Sequence, residues 1–266
     1  MNNLNLLVVE GNNKEDTGNF LEAGCISQSE NFIKHIKMFQ TNCDIDKVEP
    51  VNDNAIFKAV NSMKKYDGII LTGGAMRIND YNSEIKKHIN FAKKCFEHEK
   101  KIFASCWGLQ VVVEAAGGKV RPSPNGAHIG IAFNVELTNE GKNHKAYLYK
   151  NHKFTTPAFN FDEVEIPPKN SILLASDKIN KFMALHFTVA KSEIWGFQYH
   201  PEVPYEYMLK LIKMRSSNMI DKQYFKNENE LQQHIDSIEK EDSLLTYNNR
   251  TIELKNWLRY VEKSAY

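Results

Sequence analysis

Cys106 stands where one pattern of residues gives way to another. Lys101 to Gln110 read K-I-F-A-S-C-W-G-L-Q: a short apolar run, the cysteine, and then a helix-like stretch that ends at Gly117-Gly118. A strand that hands its chain to a helix through a tight elbow projects the elbow side chain from the sheet edge. The first N–H groups of that helix lack helical acceptors and can hold a developing oxyanion, while the helix dipole favours thiolate over thiol. Further along, I-W-G-F-Q-Y-H-P-E ends a second apolar run by presenting His200 and Glu202 two residues apart. A thiol, an imidazole and a carboxylate are the parts of an activated nucleophile. If strand geometry continued through them, His200 and Glu202 would face the same side.

These residues need a scaffold, and the chain before Cys106 spells one. Leu4 to Glu10 is an apolar strand followed by a polar loop, Gly11 to Gly18. Ser27 to Phe39 has helical spacing at Phe32, Ile33, Ile36 and Phe39, and Asp44 to Pro50 is a short strand. Asn54 to Lys65 is helical, Gly68 to Leu71 a strand running into Gly73-Gly74, and Ser83 to His98 a helix with Ser83 as N-cap. Strand alternating with helix predicts a parallel sheet covered on both faces. Beyond Val120 short strands replace this rhythm, at Ile129 to Leu137, Ala146 to Tyr149, Ile172 to Ala175, Phe182 to Phe187 and Glu193 to Tyr199. Turn signals at Pro122 to Gly126 and Pro167-Pro168 separate them, which predicts an antiparallel extension. After Glu202 the chain turns helical, with Tyr207, Leu211 and Met214 on one stripe.

Composition narrows the function classes. With 266 residues, 42% hydrophobic and 25% charged, the chain has ordinary globular usage and room for one substantial core. A formal charge of +1 gives no pull toward nucleic acid or acidic membranes. The apolar runs fall far short of the roughly 20 residues of a membrane helix, and Met1 to Asn5 lacks the basic and apolar segments of a secretory signal. Cys25, Cys43, Cys95 and Cys106 show no metal-ligand spacing and no disulfide density, so no metal and no cofactor are expected and a reducing cytoplasm is the expected compartment. Cys25, Cys43 and Cys95 read as small buried hydrophobes. His35, His88, His98 and His234, in charged helical company, read as solvated. Trp195 and Trp257 read as packing residues.

T-G-G-A-M, S-C-W-G-L-Q, D-E-V-E-I-P-P and G-F-Q-Y-H-P-E, in that order over roughly residues 4–215, resemble the class I glutamine amidotransferases. The likeness is to the stand-alone members, the GMP-synthase-like glutaminase domains and the γ-glutamyl peptidase type. It implies an α/β, flavodoxin-like three-layer sandwich with a mostly parallel central sheet, an antiparallel extension and a C-terminal helical tail. Residues 1–215 would form the amidotransferase-like domain and residues 216–266 a helical extension packed on it. The implied triad is Cys106, His200 and Glu202. Backbone amides at Gly73, Gly74 and Trp107 would form the oxyanion hole. Gln110 would hold the polar end of the substrate, with Met76, Phe159 and Asn160 around it. Three departures from the family pattern stand out: Ala104 in place of glycine, Asn160 in place of histidine, and His128 in place of glutamate before Ile-Gly.

Cys106 would attack a γ-glutamyl amide, of glutamine or a small γ-glutamyl compound, to form a thioester that water then hydrolyses. Two alternatives are a glutaminase subunit delivering ammonia to a separate synthetase, and a catalytically silent ligand-binding or regulatory module on the same fold. With no synthetase segment after the domain, such a partner would be another chain.

Overall fold

The computed structural model describes residues 3–40 and 42–264; Met1 and Asn2, the start of the stretch read as lacking a secretory signal, lie outside the described residues. The first half alternates strand and helix: β1 Leu4–Val9, α1 Lys14–Glu22, α2 Gln28–Phe39, β2 Cys43–Val48, α3 Asp53–Asn61, β3 Gly68–Leu71, α4 Ser83–Phe96, β4 Lys101–Ser105 and α5 Trp107–Ala115. Then come β5 Lys119–Pro122, β6 His128–Ile129, β7 Ala132–Leu137, α6 Asn139–Asn143, β8 Lys153–Thr156, β9 Phe159–Asn160, β10 Asp162–Ile166, β11 Ile172–Ser176, β12 Ala184–Val189 and β13 Ser192–Phe197. Helices α7 Tyr205–Asp221, α8 Glu228–Asp242, α9 Tyr247–Arg250 and α10 Ile252–Ser264 complete the chain.

Nine strands form one sheet in the order β2-β1-β3-β4-β13-β12-β11-β7-β8. The five strands from β2 to β13 are parallel, and the rest form the antiparallel arm. The central strands are buried on both faces, which is why β3 reads as an unbroken apolar run and β1 as one interrupted only by Asn5, rather than as alternating ones. One face carries α4 and α5 through Phe91, Phe96, Trp107 and Val112; the other carries α2 and α10 through Phe32, Ile36, Leu254 and Trp257. A third apolar cluster joins α7 and α8 to the loops at the sheet edge.

Several expectations shift. The loop after β1 is short, because Asn13 caps α1 by accepting from the Asp16 N–H, and α4 is capped by Asn82 rather than Ser83. The strand expected over Ile129 to Leu137 breaks into β6 and β7 at Gly130, whose φ is 82°. Ala146 to Tyr149 is not a strand: Lys145–Tyr147 is a 3-10 turn, and the Asn256 side chain donates to the Ala146 and Leu148 carbonyls, the acceptors a ladder would have used. Strands β5 and β10 escape a hydrophobic pattern because their pairing presents Arg121 to Glu163 and Glu165. Met214 is exposed, since the buried side of α7 runs through Tyr207, Met208, Leu211 and Ile212. His88 is buried, not solvated, with its ring edge-on to Trp107. Trp195 and Trp257 are packing residues as expected, and among the described residues no helix is long and apolar enough to cross a membrane.

Helix α10 is fastened to the sheet twice. Trp257 packs edge-on against Phe103, tightly enough that its ring would meet a methyl group at Gly68. Glu253, fully buried, accepts from Tyr199 Oη at 2.8 Å and pairs with Lys150 at 3.0 Å. Trp257→Ala is expected to cost about 3–5 kcal/mol by removing a fully enclosed aromatic side chain. Urea unfolding followed by circular dichroism would measure it, and a cost below about 1 kcal/mol would show that α10 is not bound into the core.

Candidate active site

Strand β4 ends at Ser105 and the chain reverses into α5 at Cys106, with φ 47° and ψ −104°, a backbone state that L-residues rarely hold. Strand β13 runs parallel beside β4 in a register that sets Phe197 against Ser105. Neighbouring strands lie about 4.8 Å apart. Two motifs distant in sequence therefore end side by side, and the Cys106 N–H donates to the Phe197 carbonyl at 2.7 Å.

Strand geometry stops at Phe197, so His200 and Glu202 do not share a face by alternation. They meet in the turn that follows: Glu202 Oε1 lies 2.8 Å from His200 Nδ1 and both side chains are buried. That contact occupies Nδ1 and leaves Nε2 as the ring nitrogen for the Cys106 thiol, which acts on the same imidazole. Burial pushes the His200 ring toward neutrality, but Cys106 and Glu202 together outweigh it and hold the imidazole up at about 10. Ser105 Oγ also donates to Glu202, at 3.2 Å.

The turn is clamped from outside the sheet. His35 Nε2 bonds the Glu202 carbonyl at 2.8 Å, its Nδ1 meets Tyr247 Oη at 2.8 Å, and Arg250 Nη1 donates to the Pro201 carbonyl at 2.9 Å. His35 is thus buried and engaged, the opposite of the solvated residue expected. His234 likewise bonds the Ile129 carbonyl.

A cavity of about 240 Å³ opens over Cys106. Gly74, Met76, Trp107, Gln110, Phe159 and Asn160, all expected near the site, line it. Gly73 lies beneath: a Cβ there would come 2.6 Å from His200 Cε1, so this glycine makes room for the imidazole. The Gly108 N–H is taken by the Thr72 carbonyl at 3.0 Å, whereas the N–H groups of Gly74 and Trp107 have no acceptor among the described residues. Gln110 Nε2 donates to the Asp162 carbonyl at 3.3 Å. Asn160 differs from expectation in what its amide does. Oδ1 meets His128 Nδ1 at 2.9 Å and Nδ2 donates to the Asp162 carbonyl at 3.0 Å, so both ends are spent on the protein. His128 in turn reaches Asp177 at 2.8 Å, so two of the departures, Asn160 and His128, contact each other directly.

Sequence reasoning passed over other residues here. Gln198 Nε2 donates to Cys106 Sγ at 3.7 Å; its only signal was its place in the G-F-Q-Y-H-P-E string. Arg77 holds the Asp162 carboxylate through two N–H groups, and Arg215, Asn218 and Lys222 form the outer wall. Nothing in a helical stretch marks those three as site residues. Among the described residues no group of three or more histidine, cysteine or acidic side chains could hold a metal.

Residues 25–211 match the family model for glutamine amidotransferase class-I. The chain belongs to the class I glutamine amidotransferase family. It is a hydrolase-type enzyme of that family. It is 30% identical over 207 residues to a γ-glutamyl-L-1-hydroxyisopropylamide hydrolase from a Pseudomonas species, covering 76% of this chain and 69% of that protein. It is 25% identical to γ-glutamyl peptidase 2 of Arabidopsis thaliana, over 69% of this chain and 71% of the other. One subunit of the glutamine-hydrolyzing GMP synthase of Saccharolobus solfataricus is 27% identical, over 64% of this chain and 81% of its own. A glutamine amidotransferase structure from Thermotoga maritima shares the fold with TM-score 0.67 at 15% identity, covering 98% of this chain and 99% of the other.

The buried imidazoles of His35, His88 and His200 and the half-buried one of His144 give the stability of this family member two pH limbs. His35, His88 and His144 are lowered to about 4, by burial first, with Arg250 beside His35 and His186 beside His144 adding to it. Their contribution is full above the ordinary value of about 6.5 and is lost as pH falls toward 4. His200, raised to about 10, contributes below about 6.5 and loses that contribution as pH climbs toward 10. Thermal midpoints are expected to decline on both sides of this range, with His88→Gln flattening the acid limb and His200→Gln the alkaline one. Parallel midpoint curves for wild type and both variants would count against these assignments.

Proposed function

We propose that this protein hydrolyses a γ-glutamyl amide bond through Cys106, His200 and Glu202, by way of a γ-glutamyl thioester. The observation that carries the reading is the buried His200–Glu202 pair beside Cys106 at the ends of adjacent parallel strands, opening on one pocket. His200, held up at about 10 by Cys106 and Glu202 against its burial, supports a role as proton donor to the leaving amine. Attack on the γ-carbonyl forms the C–S bond, the N–H groups of Gly74 and Trp107 receive the oxyanion, and His200 passes its proton to the departing amine. Neutral His200 then takes a proton from water, which displaces the thiolate and releases glutamate. Glu202 holds the ring tautomer throughout. Asn160 and Gln110 shape the pocket floor through Asp162, with Met76 and Phe159 as apolar walls. Four unpaired cysteines suit a reducing compartment, and we place the reaction in the cytoplasm.

Similarity to one subunit of a GMP synthase favours a second reading, in which the released ammonia passes to a separate synthetase. The two differ in leaving group: ammonia in one case, a larger amine in the other. Pure protein incubated with glutamine and a panel of γ-glutamyl amides would separate them by initial rates of glutamate release. We expect γ-glutamyl amides to be hydrolysed without a partner, with Cys106→Ala lowering kcat/KM by about 10³-fold or more and Glu202→Gln costing less than His200→Ala. A glutamine-like electrophile should alkylate Cys106 alone. Turnover unchanged in Cys106→Ala, or labelling that falls on Cys25, Cys43 or Cys95, would sink the mechanism, whereas a wild type that releases glutamate from none of the compounds would leave a silent binding module as the better reading.

A further inference from the structure

The outer wall of the pocket holds an arginine that has no ion pair among the described residues. Arg215 projects from α7 into the space over Cys106, its guanidinium lying 5.1 Å from the ring centre of Phe159 and 5.8 Å from that of Phe20. The aromatic faces shield it from water and supply a weak cation–π attraction. Among the described residues it makes no hydrogen bond or ion pair. Asp16, across the adjoining cleft, feels its charge but does not reach it. The pocket as a whole is positive: Arg77, Arg215 and Lys222 line it with a single carboxylate, Asp162, already held by Arg77. Asn218 and Lys222 lie three and seven residues beyond Arg215, on the same helical side.

A partly desolvated guanidinium with no protein anion is poorly satisfied in the empty pocket, and its planar fork matches a carboxylate two N–H groups at a time. We propose that Arg215 is a specificity residue that reads a carboxylate of the substrate. This deepens, and rests on, the γ-glutamyl hydrolase reading. Two carboxylates could be meant: the α-carboxylate of the γ-glutamyl half, or that of a departing amino acid. In the first case the substrate class is any γ-glutamyl compound with a free α-carboxylate; in the second it is a γ-glutamyl amino acid or peptide.

The test uses three substrates with the full-length protein: a γ-glutamyl amino acid with both carboxylates, a γ-glutamyl alkylamide with the α-carboxylate alone, and the α-methyl ester of that alkylamide with neither. Arg215→Gln is expected to raise KM about 10- to 100-fold for a substrate bearing the carboxylate it reads, as loss of a charged hydrogen bond should. The same variant should leave kcat within about threefold. Arg215→Lys, which keeps the charge without the fork, should fall between, and thermal midpoints of both variants check folding. Loss confined to the γ-glutamyl amino acid assigns Arg215 to the leaving group. Loss shared by both acids but absent for the ester assigns it to the α-carboxylate. Equal loss for all three, or no change for any, overturns the proposal while the hydrolase reading stands. A wild type that hydrolyses none of them brings down the hydrolase reading and this inference together.

Discussion

The parallel pairing of β13 against β4 is the constraint on which the rest depends. Parallel neighbours cannot be joined by a tight turn, so after β4 ends the chain must cross back to the opposite end of the sheet, where β4 began, before β13 can start. On that excursion it builds α5, the small side ladders and the antiparallel arm before β13 enters beside β4. The register of that pair brings Cys106 and the turn bearing His200 and Glu202 to one edge. A slip of one residue would turn every side chain of β13 to the opposite face and carry the turn away from the elbow.

Pairing places the His200 turn but does not hold it. Beyond Phe197 there is no ladder, and the carbonyls of Pro201 and Glu202 are satisfied by Arg250 and His35. Arg250 belongs to α9 and His35 is braced by Tyr247 of the same helix, so α9 reaches the site through the backbone of the His200 turn, while α7 reaches it through the pocket wall. Next door, the Tyr199 hydroxyl donates to the Glu253 carboxylate of α10, a side-chain contact. A buried turn needs every polar group paired, and here the partners come from distant parts of the chain.

The alternating half was legible because its signals are local. Strands buried on both faces read as apolar runs, and α2 and α4 declare themselves by spacing and caps. The antiparallel half was harder for a physical reason: β5 and β10 are held by Arg121 against Glu163 and Glu165, and such pairs leave no hydrophobic period. His35 and His88 looked like solvated residues of charged helices, since nothing local tells which side of a helix a later element will cover. Asn160 and His128 looked like two separate changes at the pocket. Their 2.9 Å contact makes them one internal link, in which the carboxamide ties His128 to the Asp162 carbonyl.

From the sequence by itself came the elbow at Cys106, the His-Pro-Glu string, the parallel half of the sheet and the family these motifs resemble, because each is written in contiguous residues. Only the tertiary structure decided what surrounds them. It placed the imidazole between a thiol and a carboxylate and held its proton against burial. It spent the Asn160 amide on the protein, and it left Arg215 facing the pocket without a hydrogen bond or ion pair among the described residues. The reason is common to all: charge, desolvation and hydrogen-bond partners are properties of the space around a side chain, and that space is filled by residues far along the chain.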